Sequence, residues 1–243
     1  MIIPYKKLVA GLALMLALAG CRPGGPDGTS AAMALVPNES TVQTTMDRPQ
    51  IIESPSRADL MQVGPLEERS LGRVDAPVTM IEYASLTCPY CRAFHEKSWP
   101  AFKKKYVDTG RVRYILREFP IGRSSGNAWL ITRCAPKDKY FKLYALFLKN
   151  QAYWVAQDVR LDAMYRVARQ VGMDRATFDA CLANQKIIDG IKWSKRRGRQ
   201  LGVSGTPTFF INDRKVPSIV TMAELEKIIT PLIDPRFAGN TDQ

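Results

Sequence analysis

The run Val78-Thr79-Met80-Ile81-Glu82-Tyr83-Ala84 ends shortly before Cys88-Pro89-Tyr90-Cys91, and this junction restricts the fold more than any other stretch of the chain. A mostly apolar run of this length reads as a buried strand. Pro89 suits the first position of a helix, where its missing N–H would have no partner anyway, and this makes Cys88 the N-cap of a helix running towards Lys105. The Cys88 sulfur then faces free backbone N–H groups and the positive end of the helix dipole, which stabilise a thiolate. Cys91 lies one turn deeper on the same face, near enough to close a disulfide. Cys88 is therefore the expected attacking sulfur and Cys91 the resolving one. A thiol lowered from about 8.5 to about 5 would stabilise the reduced form by about 5 kcal/mol, worth about 100 mV in a two-electron couple.

A structural disulfide and half of a metal site are the other uses of such a pair. The chain has five cysteines and a single histidine, His95, with no second C-x-x-C, so a four-cysteine zinc site is excluded. Cys88, Cys91 and His95 fall at i, i+3 and i+7 on one helical face, which leaves a copper-handling protein as an alternative of another class.

Val112-Arg113-Tyr114-Ile115-Leu116 reads as a second strand. Helical periodicity follows over 127–134, 138–149, 161–171, 175–184 and 188–199. Thr208–Asn212 reads as a strand, the Asp213-Arg214 turn leads to a short strand at Lys215-Val216, and 222–232 as a closing helix. This order describes a small mixed sheet interrupted by a block of helices.

No aromatic residue occurs between Cys21 and Tyr83, and the stretch from Arg22 to about Gly64 is rich in Pro, Gly, Ser and Thr. It cannot bury enough apolar surface to offset its ordering entropy and is expected to be a flexible tether, with the folded domain beginning near Pro65. Ahead of it, Lys6 and Lys7 precede a 13-residue apolar run, Leu8 to Gly20, too short to span a membrane and suited to a signal peptide. Its end, Leu18-Ala19-Gly20-Cys21, resembles the lipobox of bacterial lipoproteins, which implies cleavage before Cys21 and its lipidation; ordinary cleavage after small residues is the alternative. Without residues 1–20 the chain keeps 33 basic against 23 acidic side chains. In an exported protein that excess points to lipid head groups or solubility, not to nucleic acid.

The stretch from Met80 to His95, together with Gly205-Thr206-Pro207-Thr208-Phe209-Phe210-Ile211-Asn212 and Arg117-Glu118-Phe119-Pro120, resembles the DsbA family of thiol-disulfide oxidoreductases. It is most similar to lipoprotein or periplasmic members of Gram-negative bacteria. The resemblance covers about residues 65–234 and implies an α/β thioredoxin fold with an all-helical domain inserted at about 123–200, followed by a disordered tail at 236–243. It implies that Pro207 is a cis-proline opposite the active pair and that Thr206 offers backbone to an extended substrate. It also implies that Glu82 is a buried acid below the cysteines, whose raised pKa suits it to accept the Cys91 proton. Cys134 and Cys181 match a second cysteine pair of some relatives, implying a structural disulfide that constrains the unfolded chain by about 4 kcal/mol.

The implied activity needs no cofactor beyond the Cys88–Cys91 disulfide and binds no metal. It introduces disulfides into reduced exported proteins and is re-oxidised by a membrane quinone-linked thiol oxidase, from a lipid-anchored periplasmic monomer. Tyr90 stands where many oxidising members carry histidine, and Cys-Pro-Tyr-Cys also occurs in isomerase-type relatives. The same chemistry run as an isomerase or reductase, kept reduced by a membrane electron donor, is the second reading. Lys192, Lys195, Arg196, Arg197 and Arg199 form a cationic helix end, read as a solvated face or as a docking surface for acidic partners.

Overall fold

The computed structural model describes residues 50–217 and 221–234. The expected signal peptide, Cys21 and the tail at 236–243 lie outside the described residues. Five strands, β1 (Arg69–Leu71), β2 (Val78–Ala84), β3 (Val112–Glu118), β4 (Thr208–Ile211) and β5 (Arg214–Pro217), form one sheet in the order β1-β3-β2-β4-β5. β2 and β3 are parallel, with Val78 beside Val112 and Ala84 beside Glu118, while the other pairs are antiparallel. β2 is therefore central, and all seven of its residues are buried, as expected of a strand covered on both faces.

The connection from β2 to β3 holds α2 (Pro89–Lys97) and α3 (Trp99–Phe102), followed by a π-helical turn at Lys103–Val107. The sequence reading of one helix to Lys105 is corrected here: the helix stops at Ser98, because Pro100 has no N–H for a continuing ladder. Between β3 and β4 lie α4 (Gly122–Cys134), α5 (Tyr140–Lys149), α6 (Gln151–Trp154), α7 (Leu161–Ala168), α8 (Arg175–Leu182) and α9 (Gln185–Gln200). A two-residue turn with Asn212 at φ 54° joins β4 to β5, and Met222–Ile233 is the closing helix α10. This is the thioredoxin arrangement with an inserted helical domain. Cys134 and Cys181 are bonded, tying α4 to α8 across 47 residues.

The expectation of a tether reaching Gly64 is overturned for its last part. Residues 57–61 form a short helix, α1 (Arg57–Met61), closed by a capping box between Ser56 and Asp59. Its Leu60 is 1% exposed and packs with Ile81, Tyr83, Ile115 and Phe210 on the sheet face opposite α2. Further on, Leu66 lies against Gly190 of α9, where a Cβ would meet Leu66 at 2.2 Å. One well-placed leucine anchors this segment, which composition averaged over forty residues conceals.

Candidate active site

Cys88 sits at the N-cap of α2, preceded by β2 and a tight turn in which its N–H donates to the Ser85 carbonyl. The Cys88 thiol donates to the backbone carbonyl of Thr206 at 3.0 Å, and the Thr206-Pro207 peptide is cis. Residues 118 positions apart thus meet at one sulfur. Cys88 is lowered from 9.0 to about 6, chiefly by the Cys91 thiol, with the Thr206 side chain and the N–H groups of Cys91 and Tyr90 adding to it against the opposing effect of burial. Cys91 behaves oppositely: it is fully buried, and burial, then its hydrogen bond with Cys88 and then the Glu82 charge, push it well above 9. The pair divides into a reactive and a sequestered sulfur. A thiol ionising at about 6 favours the reduced form by about 30 mV at pH 7 and by about 90 mV only above pH 9. That is less than the 100 mV expected from a value near 5, because burial opposes the helix N-terminus.

Pro89 is the first residue of α2 and Tyr90 is 63% exposed, next to the reactive sulfur. Glu82 is 0% exposed on the sheet face towards α2, and burial pushes its carboxyl up to about 8. Tyr114 of β3 donates to it at 2.5 Å, and the Tyr144 hydroxyl of α5 also lowers it; the Cys88 charge raises it further. His95 Nε2 lies 3.9 Å from Glu82 Oε2, and burial lowers the imidazole to about 3. His95 therefore turns into a box of Tyr144 and Trp99 rings. Among the described residues no three His, Cys, Asp or Glu side chains converge as a metal site requires, and the buried His95 ring faces Glu82, Tyr144 and Trp99.

Two residues that the sequence reading missed hold the active-site turn. Gln151 of α6, buried, donates to the carbonyls of Leu86 at 2.8 Å and of Cys88 at 3.0 Å. Ser125 of α4 accepts from the Leu86 N–H and pairs with Ser85. A glutamine among apolar helical residues was the available signal. The cationic run of α9 is corrected in part: Lys192, Arg196 and Arg199 are exposed as a solvated face requires, whereas Arg197 is 8% exposed and bonds Asp59, and Lys195 donates to the Pro120 carbonyl.

A dithiol split in this way at a helix start, faced by a cis-proline turn and backed by a buried carboxyl, defines a thioredoxin-type dithiol-disulfide exchange site. Residues 66–230 match the Thioredoxin family model, and the chain belongs to that family. Wolbachia pipientis alpha-DsbA1 is similar at 29% identity with a TM-score of 0.67, covering 72% of this chain and 96% of that one. A protein-disulfide isomerase from Novosphingobium aromaticivorans is similar at 26% identity and a TM-score of 0.58, covering 69% and 98%. A Rickettsia typhi protein named as a protein-disulfide oxidoreductase is 28% identical over 144 residues, 58% of this chain and 53% of that protein. The chain spans about half the length of the curated relatives it matches.

Proposed function

We propose that this chain is a thiol-disulfide oxidoreductase that introduces disulfides into exported proteins. A substrate thiolate attacks Cys88 Sγ, Cys91 leaves and takes up a proton, and a second substrate thiolate then releases Cys88 as the stable thiolate. The observation that carries this reading is the contrast within the pair: Cys88, lowered to about 6, is a good leaving group, and Cys91 is buried beside a carboxyl raised to about 8. Thr206, beside the cis bond, lines the place where an extended substrate would lie. A membrane quinone-linked thiol oxidase would restore the disulfide, and a lipid on Cys21 would hold the monomer at a periplasmic membrane surface. Among the described residues no helix is long and apolar enough to cross a membrane.

Tyr90 between the cysteines and a value near 6 rather than near 3.5 favour a second reading, an isomerase or reductase kept reduced by a membrane electron donor. Equilibrating the purified protein with glutathione buffers decides between them. A potential above about −200 mV is expected of the oxidant; one near about −270 mV, that of thioredoxin, overturns it in favour of the reductase.

A further inference from the structure

The proton that leaves Cys91 has an acceptor in Glu82, yet Glu82 itself is sealed. Its neighbours Tyr114 and Tyr144 are fully buried, as is Cys91. Cys88 is no exit while its sulfur is bonded in a mixed disulfide. His95 of α2 differs from these neighbours: its ring, 6% exposed, lies 3.9 Å from Glu82 Oε2 on one side. On the other it lines an external groove with Trp99 and Pro100 of α3, Ala145 and Leu148 of α5, and the charged Glu96 and Lys149. Neither His95 Nε2 nor Glu82 Oε1 has a hydrogen-bond partner among the described residues, although both are buried. Such groups are costly to leave unpaired, and the 3.9 Å between Nε2 and Oε2 of the same carboxyl closes with a small movement of the ring.

We propose that His95 is the outward half of a proton relay that connects Glu82 to solvent during disulfide exchange. This rests on the exchange reading above and extends it to the path of the proton. In re-oxidation, Cys91 Sγ–H gives its proton to the Glu82 carboxylate and attacks Cys88 Sγ. The new sulfur-sulfur bond displaces the partner's sulfur, which leaves as a thiolate with the electron pair. Glu82 then passes the proton to Nε2 while the other ring nitrogen releases one towards the groove. The concerted exchange leaves the imidazole neutral, which fits a ring whose burial disfavours its charged form. In substrate oxidation the same path runs inward, protonating the departing Cys91. His95 acts through Glu82 and is a positioning and relay residue, not the acceptor itself.

The test is rapid mixing of the reduced protein with oxidised glutathione, separating formation of the Cys88-glutathione mixed disulfide from its resolution by Cys91. Formation uses a thiolate already ionised, so His95→Ala should leave it unchanged while slowing resolution at pH 7 by about 10- to 100-fold. Imidazole added to the solution should restore most of that rate through the groove. His95→Gln keeps the size and polarity of the ring but cannot pass a proton through, and should be as slow as the alanine variant while melting like the unaltered protein. Resolution at the native rate in either variant, or a loss that imidazole does not restore, overturns the relay alone. Failure of the unaltered protein to form any mixed disulfide overturns the exchange reading and the relay with it.

Discussion

At the scale of single residues, Glu82 shows how the site trades stability for chemistry. A carboxyl that ionises at 4.5 in the unfolded chain and at about 8 in the folded one holds its proton more tightly when folded. Stability therefore falls as pH rises from about 4.5 to about 8, and the penalty at pH 7 is about 3 kcal/mol. Glu82→Gln should raise stability by about that amount at pH 7 and by nothing near pH 4, read from denaturant midpoints across pH. It should also slow resolution by Cys91 by about 100-fold, the range expected for loss of a general base. Glu82 was legible through the family resemblance, and its place in an otherwise apolar strand run agrees with the raised pKa. His95 was legible only as a residue on the cysteine face: its approach to Glu82 depends on α5 bringing Tyr144 against the ring, a contact across 49 positions that no local pattern encodes.

At the scale of elements, the inserted helices hold the active-site turn, and they do more than cover the sheet. Gln151 and Ser125 reach Leu86 and Cys88 from α6 and α4, and Arg133 of α4 pairs with the buried Glu118 at the end of β3. Gln151→Ala would take the side-chain donor from the buried Leu86 carbonyl and leave the Cys88 carbonyl with the Arg92 N–H alone, a loss of about 1–3 kcal/mol in thermal or denaturant melts. Because one of the two donors to the Cys88 carbonyl is lost, the Cys88 titration followed by thiolate absorbance should move as well. Most regular elements could be read from periodicity, since β2, β3, β4, α4, α5 and α7 to α10 carry apolar patterns over enough residues to show a period. The short β1 and α1 could not, because three to five residues give no period to detect; α1 owes its place to Leu60, 1% exposed. Leu60→Ala should cost about 2–4 kcal/mol, the range of a buried leucine truncation. A protein unfolding at its native midpoint would return residues 57–61 to the tether.

At the scale of the whole molecule, the two shifted groups make stability depend on redox state in a way that distinguishes this site from a structural disulfide. Cys88, lowered from 9.0 to about 6, stabilises the reduced protein in full above pH 9, and this contribution disappears as pH falls through 6. Glu82 works in the opposite sense, removing stability between about 4.5 and 8. In the reduced protein the two slopes nearly cancel between pH 6 and 8, whereas in the oxidised protein Cys88 does not titrate and only the falling limb remains. The difference in unfolding free energy, reduced minus oxidised, should therefore be flat below pH 6 and grow by about 4 kcal/mol between pH 6 and 9. Groups outside the site contribute to both forms and drop out of that difference, Cys91 enters only as pH approaches 9, and Glu82 enters only through the part of its shift that the Cys88 charge causes, so denaturant melts of the two forms, paired at each pH, report chiefly the Cys88 contribution. Parallel curves for the two forms would mean that Cys88 is not ionised at neutral pH, and the division into a reactive and a sequestered sulfur would fall with it.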